Sequence, residues 1–584
     1  MFDATILYPA IALVLTALLA RASWQRLMLS LAKHPSLRGH SRWSRRLAPL
    51  VPAYALDAKR FFCSDGAPAD VAERRRQALT RLHQEAGESQ PKSLAFGQSL
   101  RDSVSDVGFT SRYRVPFPFR SQIGDELTLG SVVTETRDVR MKDIDGNWRY
   151  DLSGSYGVNV FGYDLYKECI AQAQSQVGNL GPVLGPYHPV ILDNVEILKQ
   201  ISGLDEVSFH MSGTEAVMQA VRLARYHTGR SHLVRLCGAY HGWWDGVQPG
   251  VGNQRRADDV YTLEDLSKQT LRVLSSRRDI ACVLVNPLQA LHPNADAPGD
   301  GTLLTSARSA RFDKERYTAW LKELRDVCTA HGIVLIFDEV FTGFRLAYRG
   351  AQEFFGVQAD MVTYGKTLGG GYPVGVLCGR RALMKRYRES QPANISFARG
   401  TFNSHPYVMA AMSAFLERIS QPDYQQLYQK AESLWAQRVM QLNDRLHNAD
   451  VPIRIAALQS VWTVLYTRPS RYNWMLQFYL RSEGLELSWV GSGRMIFSFN
   501  FTDTQFDEVC DRFVRAASRM NADGWWWQSA TLTHQSIRRK IVLELLQASF
   551  ALQTNTQPPA VKPPQVISRR SNERTADSES AGAR

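Results

Sequence analysis

Between residues 190 and 420 the chain repeats one rhythm, a stretch with apolar residues at helical spacing followed by a short, almost wholly apolar run. EAVMQAVRLARYH is such a helical stretch, and HLVRL, IACVLV, IVLIFDEV and ADMVTYG are such runs. A run without polar alternation fits a strand buried on both faces, and the intervening helices supply the cover. The rhythm therefore predicts an α/β fold whose large domain, 190–420, holds a mostly parallel sheet. Residues 421–527 mix helix and strand and predict a smaller α+β domain. Ahead of the sheet, 103–189 alternates apolar and polar residues around an Asp145–Gly146 turn, which predicts strands and hairpins. The charged run VAERRRQALTRLHQEAGESQ marks 57–102 as a helical connector.

The two ends differ from this body. Ala4 to Ala20 carries no charge, and the bases follow it at Arg21, Arg26, Lys33, Arg38, Arg42, Arg45 and Arg46. With only Asp3 ahead of the apolar run there is no basic segment of the secretory-signal kind. Residues 1–56 therefore read as a single N-terminal membrane-anchor helix with a basic leader, holding the catalytic domain on the cytoplasmic side of a membrane. A buried or interfacial helix is the alternative. At the other end, 528–552 (with SIRRKIVLELLQASF) reads as a basic amphipathic helix, and the Pro/Ser/Gln-rich 553–584 as a disordered tail. The net charge of +13 follows this division. Residues 1–56 hold seven bases against one acid, and the tail five against three, so the long middle is nearly neutral. Seven widely spaced cysteines without a C-x-x-C pair exclude a disulfide framework and give no metal-site spacing. No helix-turn-helix, zinc-finger or base-stacking pattern points to nucleic acid.

Three segments carry chemistry. Ser212, Gly213 and Thr214 stand where EVSFHM gives way to a helix, and small residues there leave backbone N–H groups for an anion. In isolation an ordinary N-cap is the better explanation of them. Asp338 and Glu339 end the run IVLIFDEV, where parallel sheets place ligands. Lys366 follows ADMVTYG and precedes Gly369, Gly370 and Gly371, a setting in which burial can lower the amine's pKa. Together, an anion cradle, a buried carboxylate and a partly buried lysine on one sheet are the parts pyridoxal 5'-phosphate needs.

The sequence also resembles the class III aminotransferases, of the fold-type I pyridoxal-phosphate enzymes, and within them the glutamate-1-semialdehyde aminomutase branch. SGTEAVMQAVRLARYHTGR, GAYHGWWD, LIFDEVFTGFR and TYGKTLGGGYPVG carry the resemblance, which runs from about Val139 to Asn521. It implies that Lys366 forms the Schiff base with the cofactor and that Asp338 holds its pyridine nitrogen. Val340 and Tyr240 would flank the ring, and Ser212, Gly213 and Thr214 would hold the phosphate. Thr401 resembles the threonine that reaches the phosphate of a neighbouring subunit, which implies a homodimer with a shared active site. His241 reads as structural.

The resemblance implies transfer of an amino group from a donor amino acid to an aldehyde or ketone. The segment GNLGPVLGPYHPVILDNVEILKQISGLDEVSFHMSGTEA resembles aminotransferase domains that work beside polyketide and peptide synthetases, which implies a carrier-bound or lipophilic acceptor. Intramolecular aminomutase chemistry uses the same residues and stays open, as does a non-catalytic membrane-tethered scaffold. One departure stands out. Asn286-Pro287 occupies the place where the family usually has Glu-Pro, and the polar segment 289–313 after it reads as a lid or substrate-selecting loop. Trp243, Trp244, Tyr156 and Arg399 are candidates for the substrate wall.

Overall fold

The computed structural model of the chain describes residues 4–255, 258–291, 310–488 and 493–554. The apolar runs become the strands of one central sheet. In chain order, β1 (Val133–Arg137), β2 (Arg140–Asp143) and β3 (Trp148–Asp151) form an antiparallel meander ahead of it. The central sheet holds β4 (Glu206–His210), β5 (His232–Leu236), β6 (Val260–Leu263), β7 (Ile280–Val285), β8 (Val334–Asp338), β9 (Met361–Gly365) and β10 (Gly375–Gly379). Their spatial order is β4-β10-β9-β8-β7-β5-β6. β10 runs antiparallel to both neighbours, and the other pairs are parallel. Every residue of β7, β8 and β9 is buried, which is why these strands read as unbroken apolar runs.

Helix Gly213–Thr228 shows why a helix starts and stops where it does. The Ser212 hydroxyl accepts from the Glu215 N–H at its start, and Gly229 closes it in a left-handed conformation, φ +66°. Its buried face, including Val217, Ala220, Val221 and Ala224, packs on the sheet. Beyond the hairpin β11 (Tyr387–Arg388) and β12 (Gln391–Ile395), helix Pro422–Asn448 leads into the antiparallel sheet of β13 (Ile453–Leu458), β14 (Val461–Tyr466) and β16 (Arg494–Ile496). Here β15 (Leu485–Glu486) leaves to pair with β3, tying the meander to this part of the chain. Helix Asp503–Ala522 follows, opened by a Thr502/Gln505 capping box.

Several expectations need correction. The alternation read over 103–189 yields strands only at β1–β3. Ser105–Tyr113 and Asp125–Thr128 are helical, with Leu127 buried, so local alternation yields there to packing. The helices of 57–102 are Ala58–Phe62, Ala69–Ser89 and Pro91–Arg101, and they are more than a connector. Arg75 is fully buried, paired with Asp65 at 2.7 Å and hydrogen-bonded to the Phe62 and Gly524 carbonyls. Its guanidinium lies over the Tyr472 ring at 4.5 Å, so a charged residue is part of the core shared with the C-terminal region.

The apolar N-terminal run does not end its helix at Ala20. Helix Ala4–Leu31 continues through Arg21 and Arg26. Residues 10–24 are exposed, whereas Met28 and Leu29 pack on the body and Ala32 is buried. The leader that follows lies along the body. Arg42 pairs with Asp258, and Arg45 donates to the carbonyls of Asn253 and Arg255, so those two bases are engaged by protein. At the far end the amphipathic helix is His534–Thr554. The tail beyond it, and 292–309 of the expected lid, lie outside the described residues.

Candidate active site

A cavity of about 850 Å³ lies beside the ends of β8 and β9, and it collects most of the residues singled out from the sequence. Lys366 is the first residue after β9 and has a left-handed backbone, φ +49°. That conformation is costly for a lysine and is held by the packing around it. Its ammonium nitrogen lies 5.6 Å from the centre of the Phe341 ring. Burial lowers its pKa, Asp338 opposes the shift, and Arg345 and Arg494 add to it. The amine is thus easier to find uncharged than an exposed lysine's.

Asp338 closes β8 and is 3% exposed. One carboxylate oxygen pairs with His241 Nδ1 at 2.8 Å, and the other accepts from Thr363 Oγ1 at 3.3 Å and the Val340 N–H at 3.2 Å. His241 is itself buried, and its Nε2 has no partner among the described residues. The expectation that His241 is only structural is therefore incomplete, because it fixes the orientation of the cavity's carboxylate. The neighbouring Glu339 turns away from the cavity and accepts from the Ala351 N–H at 2.6 Å. Burial pushes its carboxyl up to about 8.

Ser212, Gly213 and Thr214 all line the cavity at the start of the 16-residue helix, where the first N–H groups have no intrahelical acceptor. A Cβ on Gly213 would lie 2.5 Å from Val340 Cγ1, and one on Gly242 would lie 2.4 Å from Thr214 Oγ1. Only glycine permits this close an approach of cradle to wall. Val340 and Tyr240 line the same cavity. Asn286, 7% exposed, donates from Nδ2 to the Tyr240 carbonyl at 3.1 Å and accepts from the Leu288 N–H at 3.1 Å. A carboxylate could not make the first of these bonds, so the amide at this position holds the Tyr240 segment in place.

Thr401 is exposed and is not among this chain's cavity residues. Of the four wall candidates only Tyr156 lines the cavity. Trp243 is 74% exposed, Trp244 packs on the apolar cluster beneath helix Gly213–Thr228, and Arg399 donates to the Gly185 carbonyl. Sequence reading missed Arg494, Phe341 and Gln289, all at the cavity wall. Arg494 stands on β16, far along the chain from Lys366, and no local pattern marks it. Phe341 follows Val340 directly and was within reach of the motif.

The family model for aminotransferase class-III matches residues 123–254 and 313–517, more than half of the chain. The chain belongs to the class III aminotransferases. Among curated relatives, the glutamate-1-semialdehyde 2,1-aminomutase of Methanocaldococcus jannaschii is 32% identical over 387 residues, covering 63% of this chain and 82% of that protein. The enzyme of the same name from Nitratidesulfovibrio vulgaris is 34% identical over 331 residues, or 56% and 75% of the two chains. Among solved structures, a transaminase with PLP bound aligns at 27% identity with a TM-score of 0.57, over 68% of this chain and 92% of that one. A glutamate-1-semialdehyde aminomutase from Pseudomonas aeruginosa PAO1 shares the fold at 19% identity and a TM-score of 0.61, over 77% and 99%.

Class III aminotransferases are pyridoxal-phosphate enzymes. The residues here fit that cofactor: a glycine cradle that a Cβ would fill, a buried carboxylate held by His241, and a desolvated lysine on one cavity.

Proposed function

We propose that this aminotransferase moves an amino group between two molecules, from a donor amino acid to an aldehyde or ketone with an apolar body, working as a membrane-held homodimer. The observation that carries the substrate class is the cavity wall. Among the described residues, Arg494 is the cation besides Lys366 that lines it, while Val158, Met211, Leu288, Phe341 and Ile496 make much of the rest apolar. One guanidinium suits one carboxylate, and the apolar wall suits an acceptor without a second charge. Asn286 supports the same reading, because it is an uncharged amide and so adds no second carboxylate beside Asp338 among the described cavity residues.

Pyridoxal phosphate, when bound, supplies an electron sink for the substrate's α-carbon and carries the amino group between donor and acceptor. Lys366 would hold the cofactor covalently and, once released from it, move the proton at the substrate α-carbon. Asp338, oriented by His241, would hold a proton at the pyridine nitrogen. The Gly213 and Thr214 N–H groups and the Thr214 hydroxyl would bind the phosphate. Val340 and Tyr240 would wall the ring and exclude water.

Exposed apolar side chains near Thr401 support the homodimer, among them Phe397, Phe402 and Tyr187. The membrane reading rests on helix residues 10–31, long and apolar enough to cross a bilayer by length and composition. The names of the relatives favour an aminomutase as the second reading. Purified protein given a donor amino acid and an apolar aldehyde should release one oxo acid for each amine formed. Interconversion of a single compound without a co-substrate would favour the mutase instead.

A further inference from the structure

Arg345 is fully buried, and among the described residues no carboxylate pairs with it. A cation taken out of water without a counter-charge is costly, so the groups that replace its water are informative. Nη1 donates to Ser460 Oγ at 2.9 Å, just before β14, and to the Phe497 carbonyl at 2.8 Å, just after β16. Nη2 donates to the carbonyls of Gly157 at 3.4 Å and Asn159 at 3.3 Å. Burial lowers the guanidinium's pKa to about 10, with Tyr166, Tyr428 and Asp151 opposing the shift, so the charge is kept at neutral pH.

The Gly157 carbonyl ends a turn of unusual backbone. Gly154, Ser155, Tyr156 and Gly157 have φ of +53°, +44°, +57° and +93° in succession. L-residues avoid this left-handed region, and two of them in a row persist only where the surroundings over-determine them. Arg345 is one such constraint. The other is Tyr163, whose hydroxyl donates to Asp151 Oδ2 at 2.8 Å and accepts from Ser155 Oγ at 2.9 Å. The turn so held lies against the cavity lysine. A Cβ on Gly157 would stand 2.5 Å from Phe341 Cε2 and 3.5 Å from Lys366 Cδ. The Arg345 guanidinium and the Lys366 ammonium are each 5.6 Å from the centre of the Phe341 ring.

We propose that Arg345 and Tyr163 are positioning residues for Lys366, holding the left-handed turn Gly154–Gly157 against its stem and so fixing where the amine stands in the cavity. The proposal rests on the reading of Lys366 given above and adds what aims it. A lysine stem has several rotatable bonds, and an amine that must meet one carbon gains rate when that freedom is already lost. Arg345 contributes charge as well as contact. With Arg494 it pushes the amine's pKa down, while Asp338 draws it up.

Competitive acetylation separates contact from charge. The full chain freed of cofactor is treated with trace acetic anhydride from about pH 7 to about pH 11, and mass spectrometry compares Lys366 with exposed Lys430. Tyr163→Phe frees Ser155 and leaves every charge in place, so the limiting rate of Lys366 at high pH should rise at least about threefold with its titration midpoint unchanged. Arg345→Gln loses the charge and the span of four acceptors. Its limiting rate should rise at least as much, and its midpoint should move up, because a cation that opposed the ammonium is gone. A merely structural role would lower the denaturation midpoints and leave the labelling of both variants as in wild type, and that result overturns the proposal. A wild-type limiting rate in either variant alone overturns it for that residue. If Arg345→Gln does not fold by circular dichroism, Tyr163→Phe, which loses a single oxygen, decides for the turn. The labelling is read without cofactor, so it is independent of the reading it rests on. Cofactor found attached to another lysine would sink that reading of Lys366, whatever the labelling shows.

Discussion

Asn286→Asp alters one group and keeps the shape of the side chain. It retains the oxygen that accepts from the Leu288 N–H and replaces the Nδ2 that donates to the Tyr240 carbonyl at 3.1 Å. At neutral pH two acceptors then face each other at a position 7% exposed. The lost hydrogen bond removes about 1 kcal/mol, and the unpaired buried oxygens cost about 1–3 more, so the variant should be less stable by about 2–4 kcal/mol at pH 8. Burial raises the introduced carboxyl's pKa, and its protonated form regains an O–H able to donate to Tyr240. A raised folded-state pKa gives stability that is present below the ordinary carboxylate range and lost as pH rises through the folded value. The deficit should therefore be largest at pH 8 and shrink towards pH 4. Guanidinium denaturation of wild type and variant, followed by tryptophan fluorescence at both pH values, measures it as a difference. Equal midpoints at pH 8, or a deficit that grows on acidification, would refute the reasoning. Cofactor affinity should fall in parallel, because Tyr240 lines the cavity.

Three further substitutions report on the surroundings. Glu339 is pushed up to about 8 by burial, so its stability contribution is full below about pH 4.5 and lost as pH rises to about 8. Glu339→Gln should gain on wild type across that window by up to about 5 kcal/mol, read as diverging denaturation midpoints. Gly213→Ala puts a methyl 2.5 Å from Val340 Cγ1, so Val340 must move into the cavity. Equilibrium dialysis should show cofactor affinity at least about tenfold weaker, a change of about 1.4 kcal/mol, with the fold intact by circular dichroism. Arg494→Gln removes a charge that helps lower the Lys366 pKa. It should raise the pH below which cofactor uptake declines, and it should raise KM for carboxylate-bearing donors.

Chemistry that lies next to itself in the chain was legible from sequence, and chemistry assembled across the fold was not. β7, β8 and β9 could be read because both their faces are buried, leaving no polar alternation to blur them. Asp338 and Lys366 could be placed because one ends such a strand and the other directly follows one. β10 was not foreseen, since the glycines at its two ends left only Val376, Leu377 and Cys378 between turn-like signals. Arg494 reaches the cavity only because β16 pairs with β14 far downstream. His241 was undervalued because its partner, Asp338, is 97 residues away. The 57–102 region misled by composition. Arg75 reads as solvated charge, yet Asp65 and two carbonyls neutralise it inside the core. The N-terminal helix outran its apolar run because neither Arg21 nor Arg26 breaks a helix.

The account turns on one lysine, and covalent trapping tests it most directly. Full-length protein loaded with pyridoxal phosphate should be yellow and lose that colour on treatment with borohydride. Digestion and mass spectrometry should then find the reduced cofactor on the peptide that contains Lys366, and Lys366→Ala should bind the cofactor without being labelled. Label on a different lysine, or a protein that takes up no pyridoxal phosphate, would contradict the assignment.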